Sequence, residues 1–354
     1  MRKLSDLKLL PAVLILFAVA SCTRTKVIYK EKLYYDVPAE LKNPKAKEKF
    51  FNHYSDFIKG KRIFLDPGHG GEDRRNIGSD SIVVEADVNL KVASYLREFL
   101  TDAGAIVFMS RYSDETVQLK KRSELANNSG AEIFISIHHN AASEANDNYT
   151  NYTSTYYHSV ESDYNYEPCE RDLARYVQRD LAYAMRNSGG PGSFDGTYSD
   201  YTLYPGEGLS VLRETIIPAV LVECGFHTHY IEERRLSLDY FNKIEAWGIF
   251  KGLCRYFEAG IPTIEKINTV NNYKEKNIEL QYKLVDPYGI NPESINIFWD
   301  LKEVQDFSFD PAGNILTVRI PDAGIGIHEL RIIAANKNSN HSFPYHEEIT
   351  IVRN

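Results

Sequence analysis

Ile63-Phe64-Leu65-Asp66-Pro67-Gly68-His69-Gly70-Gly71 is the stretch whose reading decides the fold. Its three leading apolar residues predict a short buried strand. Pro67 lacks an amide donor and Gly68 permits unusual backbone angles, so the strand stops there. A histidine is thereby delivered to a glycine-rich turn at the mouth of a strand. Ligands of open α/β sheets bind at that place. Alone, a histidine in a turn is ordinary solvated surface; three later positions change the reading.

Downstream, Val88, Val92, Tyr95, Leu96 and Phe99 fall at helical spacing, and Gly104 closes that helix. Glu85 lies in its first turn, where the helix dipole favours a carboxylate. Residues 105–109 read as a second strand, followed by Arg111, and Arg122 and Leu125 belong to a short helix. Ile133-Phe134-Ile135-Ser136-Ile137 is a third buried strand, ending at His138-His139-Asn140. Residues 144–170, rich in Asn, Tyr, Ser and Thr, form a long excursion with a candidate strand at Thr155-Tyr156-Tyr157. A helix through Leu173, Val177 and Leu181 follows. The last strong strand, residues 218–226, carries Glu223 after four apolar residues. An acid in such a run is costly to bury unless it is paired or working. Residues 231–257 read as helices. Strands alternating with helices predict a layered α/β domain.

His69, His138 and Glu223 end predicted strands, and Glu85 begins a helix. Strand ends on one edge of a sheet converge, so all four are expected to face one cleft. Two imidazoles and one carboxylate form a ligand set for catalytic Zn²⁺, which keeps a fourth position open for water. Zinc lowers the pKa of that water to about 7. A second, non-ligating Glu takes its proton and passes it to a leaving amine.

Several of these segments share one pattern. Leu65 to Gly71, Glu85 followed by Asn89-Leu90, Arg111, Arg122 with Ala126-Asn127, Ser136-Ile137-His138, and Val211-Leu212-Arg213 leading to residues 218–226 all belong to it. Together they resemble the zinc-dependent N-acetylmuramoyl-L-alanine amidases of the third amidase family, over a span from Lys61 to Phe257. The resemblance implies a mixed sheet flanked by helices, one zinc ion held by His69, Glu85 and His138, and Glu223 as general acid and base. It implies peptidoglycan as substrate, cut at the amide between N-acetylmuramic acid and L-alanine, in wall remodelling or daughter-cell separation. His139 stands where the family usually has a small residue. His138 is the expected ligand and His139 points away, because neighbours on an extended chain alternate faces. His227 and His229 are read as a solvated loop and not as a second metal site.

The amino-terminal end predicts export. Met1-Arg2-Lys3 precedes an apolar run from Leu9 to Ala20, which falls short of the roughly 20 apolar residues a bilayer span needs. It has the length and flanks of a secretory signal. Val19-Ala20-Ser21-Cys22 resembles the lipobox of bacterial lipoproteins, which implies cleavage before Cys22 and acylation of its thiol. The expected organisation is a lipoprotein signal peptide at 1–21, a tether and lead-in helix at 22–58, a catalytic domain at 59–260 and a β module at 261–354. The expected location is the cell envelope, lipid-anchored to a membrane and facing periplasm or wall. The net charge of −8 becomes more negative once Arg2, Lys3, Lys8 and Asp6 are removed. Such a surface argues against nucleic-acid partners, which demand basic patches. Apart from Cys22 the cysteines are Cys169, Cys224 and Cys254, an odd number that leaves no complete disulfide framework.

Beyond Pro262 the texture changes to short strands at 278–284, 295–299, 315–320, 328–334 and 347–352, separated by turns such as Asp310-Pro311-Ala312-Gly313-Asn314. This pattern predicts a small all-β sandwich. It resembles bacterial immunoglobulin-like modules and carries no chemistry-bearing cluster. The expected role is a spacer, or a module binding the wall or a divisome protein. Three rival functions remain open: a zinc peptidase or carboxypeptidase on wall peptides, a non-catalytic peptidoglycan-binding protein, and a glycosidase using Glu85 and Glu223. The last leaves two histidines at strand ends unexplained.

Overall fold

The computed structural model describes residues 35–144, 146–190, 193, 195–272 and 277–352. The expected signal segment, residues 1–21, and the expected acylation site Cys22 lie outside the described residues. Among the described residues, no helix is long and apolar enough to cross a membrane.

Two helices lead in, α1 (Ala39–Lys42) and α2 (Pro44–Ile58). Asn43 starts α2 because its side chain accepts the amides of Lys45 and Ala46, and Pro44 has no amide to satisfy. There follow β1 (Arg62–Pro67), α3 (Glu85–Asp102), β2 (Ile106–Met109), α4 (Leu119–Asn127), β3 (Ile133–Asn140), β4 (Ser154–Tyr157), α5 (Pro168–Met185), β5 (Thr197–Ser199), α6 (Ser210–Arg213), β6 (Ala219–Phe226), α7 (Tyr230–Leu236) and α8 (Asp239–Glu258). The strands form one sheet in the order β2-β1-β3-β6-β4-β5. β1 is parallel to β2 and β3, and β3 to β6, while β4 runs antiparallel to β6. The sheet is therefore mixed.

Period-two alternation sorts the strand residues onto two faces. Ile63, Leu65, Ile133, Ile135, Ile137, Val220, Val222 and Cys224 share a core with buried residues of α2, α3, α5 and α8. Phe50 of α2 joins that core, its ring 5.0 Å from Trp247 of α8. Phe64, Phe134, Ala219 and Leu221 pack the other way, against Ala126 of α4 and Val211 and Leu212 of α6. Continuing each strand in steps of two places Asp66, Ser136, His138 and Glu223 on this second face. β3 keeps its pairing with β6 as far as Asn140, opposite Phe226, so His138 lies within the strand.

The carboxy-terminal part is all-β: β7 (Thr263–Asn272), β8 (Asn277–Val285), β9 (Ile290–Trp299), β10 (Lys302–Glu303), β11 (Phe307–Asp310), β12 (Ile315–Ile320), β13 (Gly326–Asn336) and β14 (Tyr345–Ile351). Two antiparallel sheets, β10-β9-β13-β14 and β11-β12-β8-β7, enclose one core. Ile278, Leu280, Tyr282 and Leu284 come from one sheet, and Ile297, Leu330 and Ile332 from the other.

Arg331 of β13 ties this sandwich to the excursion before α5. Its guanidinium donates to the carbonyls of Tyr164 (2.6 Å) and Tyr166 (2.5 Å) and pairs with Glu167 at 3.0 Å. The excursion thus seats the sandwich. Arg331→Ala strips charge-assisted hydrogen bonds worth about 1–3 kcal/mol. Hydrogen exchange at residues 164–167 is expected to quicken by roughly tenfold or more, while the amides of β1 and β3 keep their protection.

Candidate metal centre and active site

The turn after β1 is held in an unusual shape. His69 has φ +59°, Gly70 +118° and Gly71 +61°. A Cβ on Gly70 would sit 2.8 Å from the carbonyl of Glu115 and 2.9 Å from Arg111 Nε, so only glycine fits. His69 is the residue that bears the left-handed conformation with a side chain. Two buried guanidiniums hold it there. Arg111 donates to the carbonyls of Pro67 (2.8 Å) and Gly68 (2.9 Å) and, from α3, Ala86 (2.7 Å). Arg122 donates to the carbonyls of Pro67 (2.8 Å) and His69 (2.9 Å) and to Asp66 Oδ1 (2.6 Å). Asp66 also accepts the hydroxyls of Ser110 and Ser136. Burial pushes its carboxyl up, but Arg122 and Ser110 outweigh burial and hold it below the usual range.

Glu85, the first residue of α3, is 2 % exposed and lies between two imidazoles. Its Oε2 is 3.2 Å from His69 Nε2, and its Oε1 is 3.0 Å from His138 Nδ1. One donor atom from each of the three side chains lies within 4.8 Å of the others. His69 Nδ1 meets Asp73 Oδ2 at 2.8 Å, which fixes the ring and turns Nε2 inward, as a carboxylate behind a metal-bound histidine does. The carboxylate is braced as well. Oε1 accepts the Asn89 side-chain amide and the His139 backbone amide, and Oε2 accepts Asn76 Nδ2 at 2.6 Å. Burial again opposes ionisation, yet hydrogen bonds to His138 and His69 carry the Glu85 carboxyl well below its ordinary value. Two nitrogens and an ionised oxygen, oriented from behind, fit a zinc ion.

Glu223 is the direct cross-strand partner of His138. Its Oε2 is sealed from solvent and has no hydrogen-bond partner. Burial, reinforced by the charge on Glu85, pushes its carboxyl well above the usual carboxylate range. It stands outside the three-residue donor set.

Gly68 lets β1 and β3 close around this centre. A Cβ there would lie 2.1 Å from His138 Cε1. Gly68→Ala must therefore displace the His138 ring. The expected outcome is zinc affinity lowered by about tenfold or more, measured by competition with a chromophoric chelator, with little change in fold.

The sequence expectation for His139 agrees with its placement. It faces α8, with Nδ1 2.7 Å from Asn89 Oδ1 and Nε2 3.0 Å from Glu245 Oε1. His139, Cys224 and Glu245 also lie within ligand reach of one another, but all three are buried, with the His139 and Glu245 side chains closed to solvent, so this set offers no position that a substrate could reach. The reading of His227 and His229 as solvated loop needs correction. His229 caps α7, its Nδ1 accepting the amides of Ile231 and Glu232. His227 is 2 % exposed, because its amide bonds to the carbonyl of Asn140 and draws the loop over the sheet edge. Asp73 and Asn76 carried no sequence signal, since they lie in an aperiodic polar loop. Asn89 did carry one, because the i,i+4 spacing from Glu85 stacks the two on one helix face.

A family model described as N-acetylmuramoyl-L-alanine amidase matches residues 63–255. The chain belongs to the N-acetylmuramoyl-L-alanine amidase family. The germination-specific N-acetylmuramoyl-L-alanine amidase of Bacillus subtilis (strain 168) is 31 % identical over 221 residues, 58 % of this chain and 84 % of that protein. The amidase Ami1 of Mycobacterium smegmatis, 19 % identical with a TM-score of 0.50, covers 57 % of this chain and 99 % of its own and shares the fold. An amidase structure from Clostridium difficile 630 is 31 % identical with a TM-score of 0.49, covering 56 % of this chain and 98 % of that one. The amidase match spans the mixed sheet and its helices and stops before the β-sandwich.

Proposed function

We propose that this amidase hydrolyses the amide joining the lactyl group of N-acetylmuramic acid to the L-alanine of the peptidoglycan stem. His69, Glu85 and His138 hold one zinc ion, and Glu223 carries the proton. The observation that supports this most is the convergence of two imidazoles on one buried, braced carboxylate, with a partnerless Glu223 on the neighbouring strand.

When bound, zinc supplies Lewis acidity, polarising the scissile carbonyl and acidifying the attacking water. Glu223 accepts a proton from that water as the water oxygen bonds to the amide carbon. It then returns the proton to the alanine nitrogen as the C–N bond breaks, leaving a carboxylic acid on the sugar and a free amine on the peptide. Asp73, Asn76, Asn89, Arg111 and Arg122 orient; none needs to touch substrate.

The envelope location and lipid anchor belong to the same reading, supported by the apolar run Leu9–Ala20 and the sequence Val19-Ala20-Ser21-Cys22. The carboxy-terminal sandwich is then a wall- or partner-binding module held against the catalytic domain.

Digestion of purified peptidoglycan by the full chain, with and without chelator, tests the activity. Stem peptides bearing a free amino-terminal alanine are expected by mass spectrometry, and their release stops on chelation and resumes with added zinc. Products that lack only a terminal residue would identify a peptidase instead.

A further inference from the structure

We propose that His227 is a fourth protein ligand of the metal centre, its Nε2 joining His69, Glu85 and His138 on the cation of the resting enzyme. The inference rests on the zinc reading above. Three observations carry it.

His227 is buried at 2 % exposure, and neither ring nitrogen has a hydrogen-bond partner. Buried polar side chains nearly always have one, and leaving such a group unmet costs about 1–3 kcal/mol. The ring is also aimed. Its Nε2 lies 3.8 Å from Glu85 Oε2, the oxygen that faces His69 Nε2 at 3.2 Å. Two ligand atoms on a tetrahedral ion with bonds of about 2.0–2.1 Å stand roughly 3.3 Å apart. The spacings of Glu85 to His69 and His138, 3.2 and 3.0 Å, match this separation. His227 Nε2, at 3.8 Å from Glu85, stands outside the three donor atoms that lie within 4.8 Å of one another, so its ring must swing inward to join them. Finally, the residue is anchored. Its amide donates to the Asn140 carbonyl at 2.8 Å, so the ring hangs from the edge of the sheet that presents His138 and Glu223.

A cation with four protein donors is retained more tightly than one with three. It also lacks a free position until a donor yields or the coordination shell expands. Substrate entry would then compete with His227.

The test uses the full chain, stripped of metal and reloaded with zinc. X-ray absorption at the zinc edge counts imidazole ligands, and competition with a chromophoric chelator gives the dissociation constant. Wild type is expected to show three imidazoles and His227→Leu two, with zinc bound about tenfold or more weakly in the variant. The metal-free variant is expected to melt no lower than metal-free wild type, since an unpartnered buried group has been removed. Two imidazoles in wild type, with equal affinity in His227→Leu, would overturn the proposal and leave the zinc reading standing. Failure of wild type to take up zinc would overturn both. If His227→Leu does not fold, the wild-type imidazole count still decides.

Discussion

Glu223→Gln is expected to bind zinc as wild type does and to lose peptidoglycan turnover by about 10²–10⁴-fold. Glutamine keeps the shape of the side chain and cannot take up a proton. Glu223 belongs to β6 and lies beside His138 without sharing its hydrogen bonds with Glu85, so the substitution leaves the donor set in place. Its Oε2 has no partner to lose, and the metal-free variant is expected to be at least as stable as wild type. His69→Ala and His138→Ala give the opposite signature, because each removes a donor nitrogen: zinc and turnover disappear together. Zinc stoichiometry measured beside turnover separates the two classes. Normal turnover in Glu223→Gln would remove the proton-carrying role from this residue.

Much of this arrangement was legible in the sequence, and the reason is physical. β1, β3 and β6 are buried on both faces, so they read as continuous apolar runs. Their period of two then predicts which neighbours share a face. That logic separates His138 from His139 before any coordinates exist, and the Glu245 contact of His139 agrees with it. The weaker strands are another matter. β5 has three residues, and β7 opens as Thr263-Ile264-Glu265-Lys266, with too few apolar positions to mark a buried face. Their existence depends on the neighbour they pair with.

His227 marks a second limit. His227-Thr228-His229 is a polar triplet after a strand, which locally describes a loop in water. What buries His227 is a backbone hydrogen bond to Asn140, 87 positions earlier by number. No local pattern contains that contact. The same holds for the clamp on the His69 turn. Arg111 and Arg122 belonged to the recognised pattern, but that both guanidiniums grip the carbonyls of residues 67–69 follows only from the tertiary fold.

That clamp supports the second large expectation. Asp66→Ala leaves the Arg122 guanidinium, 5 % exposed, without its anion. Breaking a buried pair from one side costs about 3–5 kcal/mol, a large fraction of the roughly 5–15 kcal/mol that holds a typical domain together. Zinc affinity is expected to fall as well, although no ligand is touched, because Arg122 no longer fixes the carbonyls of Pro67 and His69. Asp66→Asn isolates the charge, since it preserves the shape and one acceptor. The native Asp66 carboxyl sits below its ordinary value, so its contribution is complete well above an unfolded pKa of about 3.9. It fades as pH falls toward the depressed native value. Urea unfolding of the metal-free proteins should therefore show a constant gap between wild type and Asp66→Asn from about pH 7 to 5, narrowing below about pH 4. A gap unchanged at about pH 3 would mean that hydrogen-bond geometry at this position, and not its charge, keeps the His69 turn in its left-handed shape.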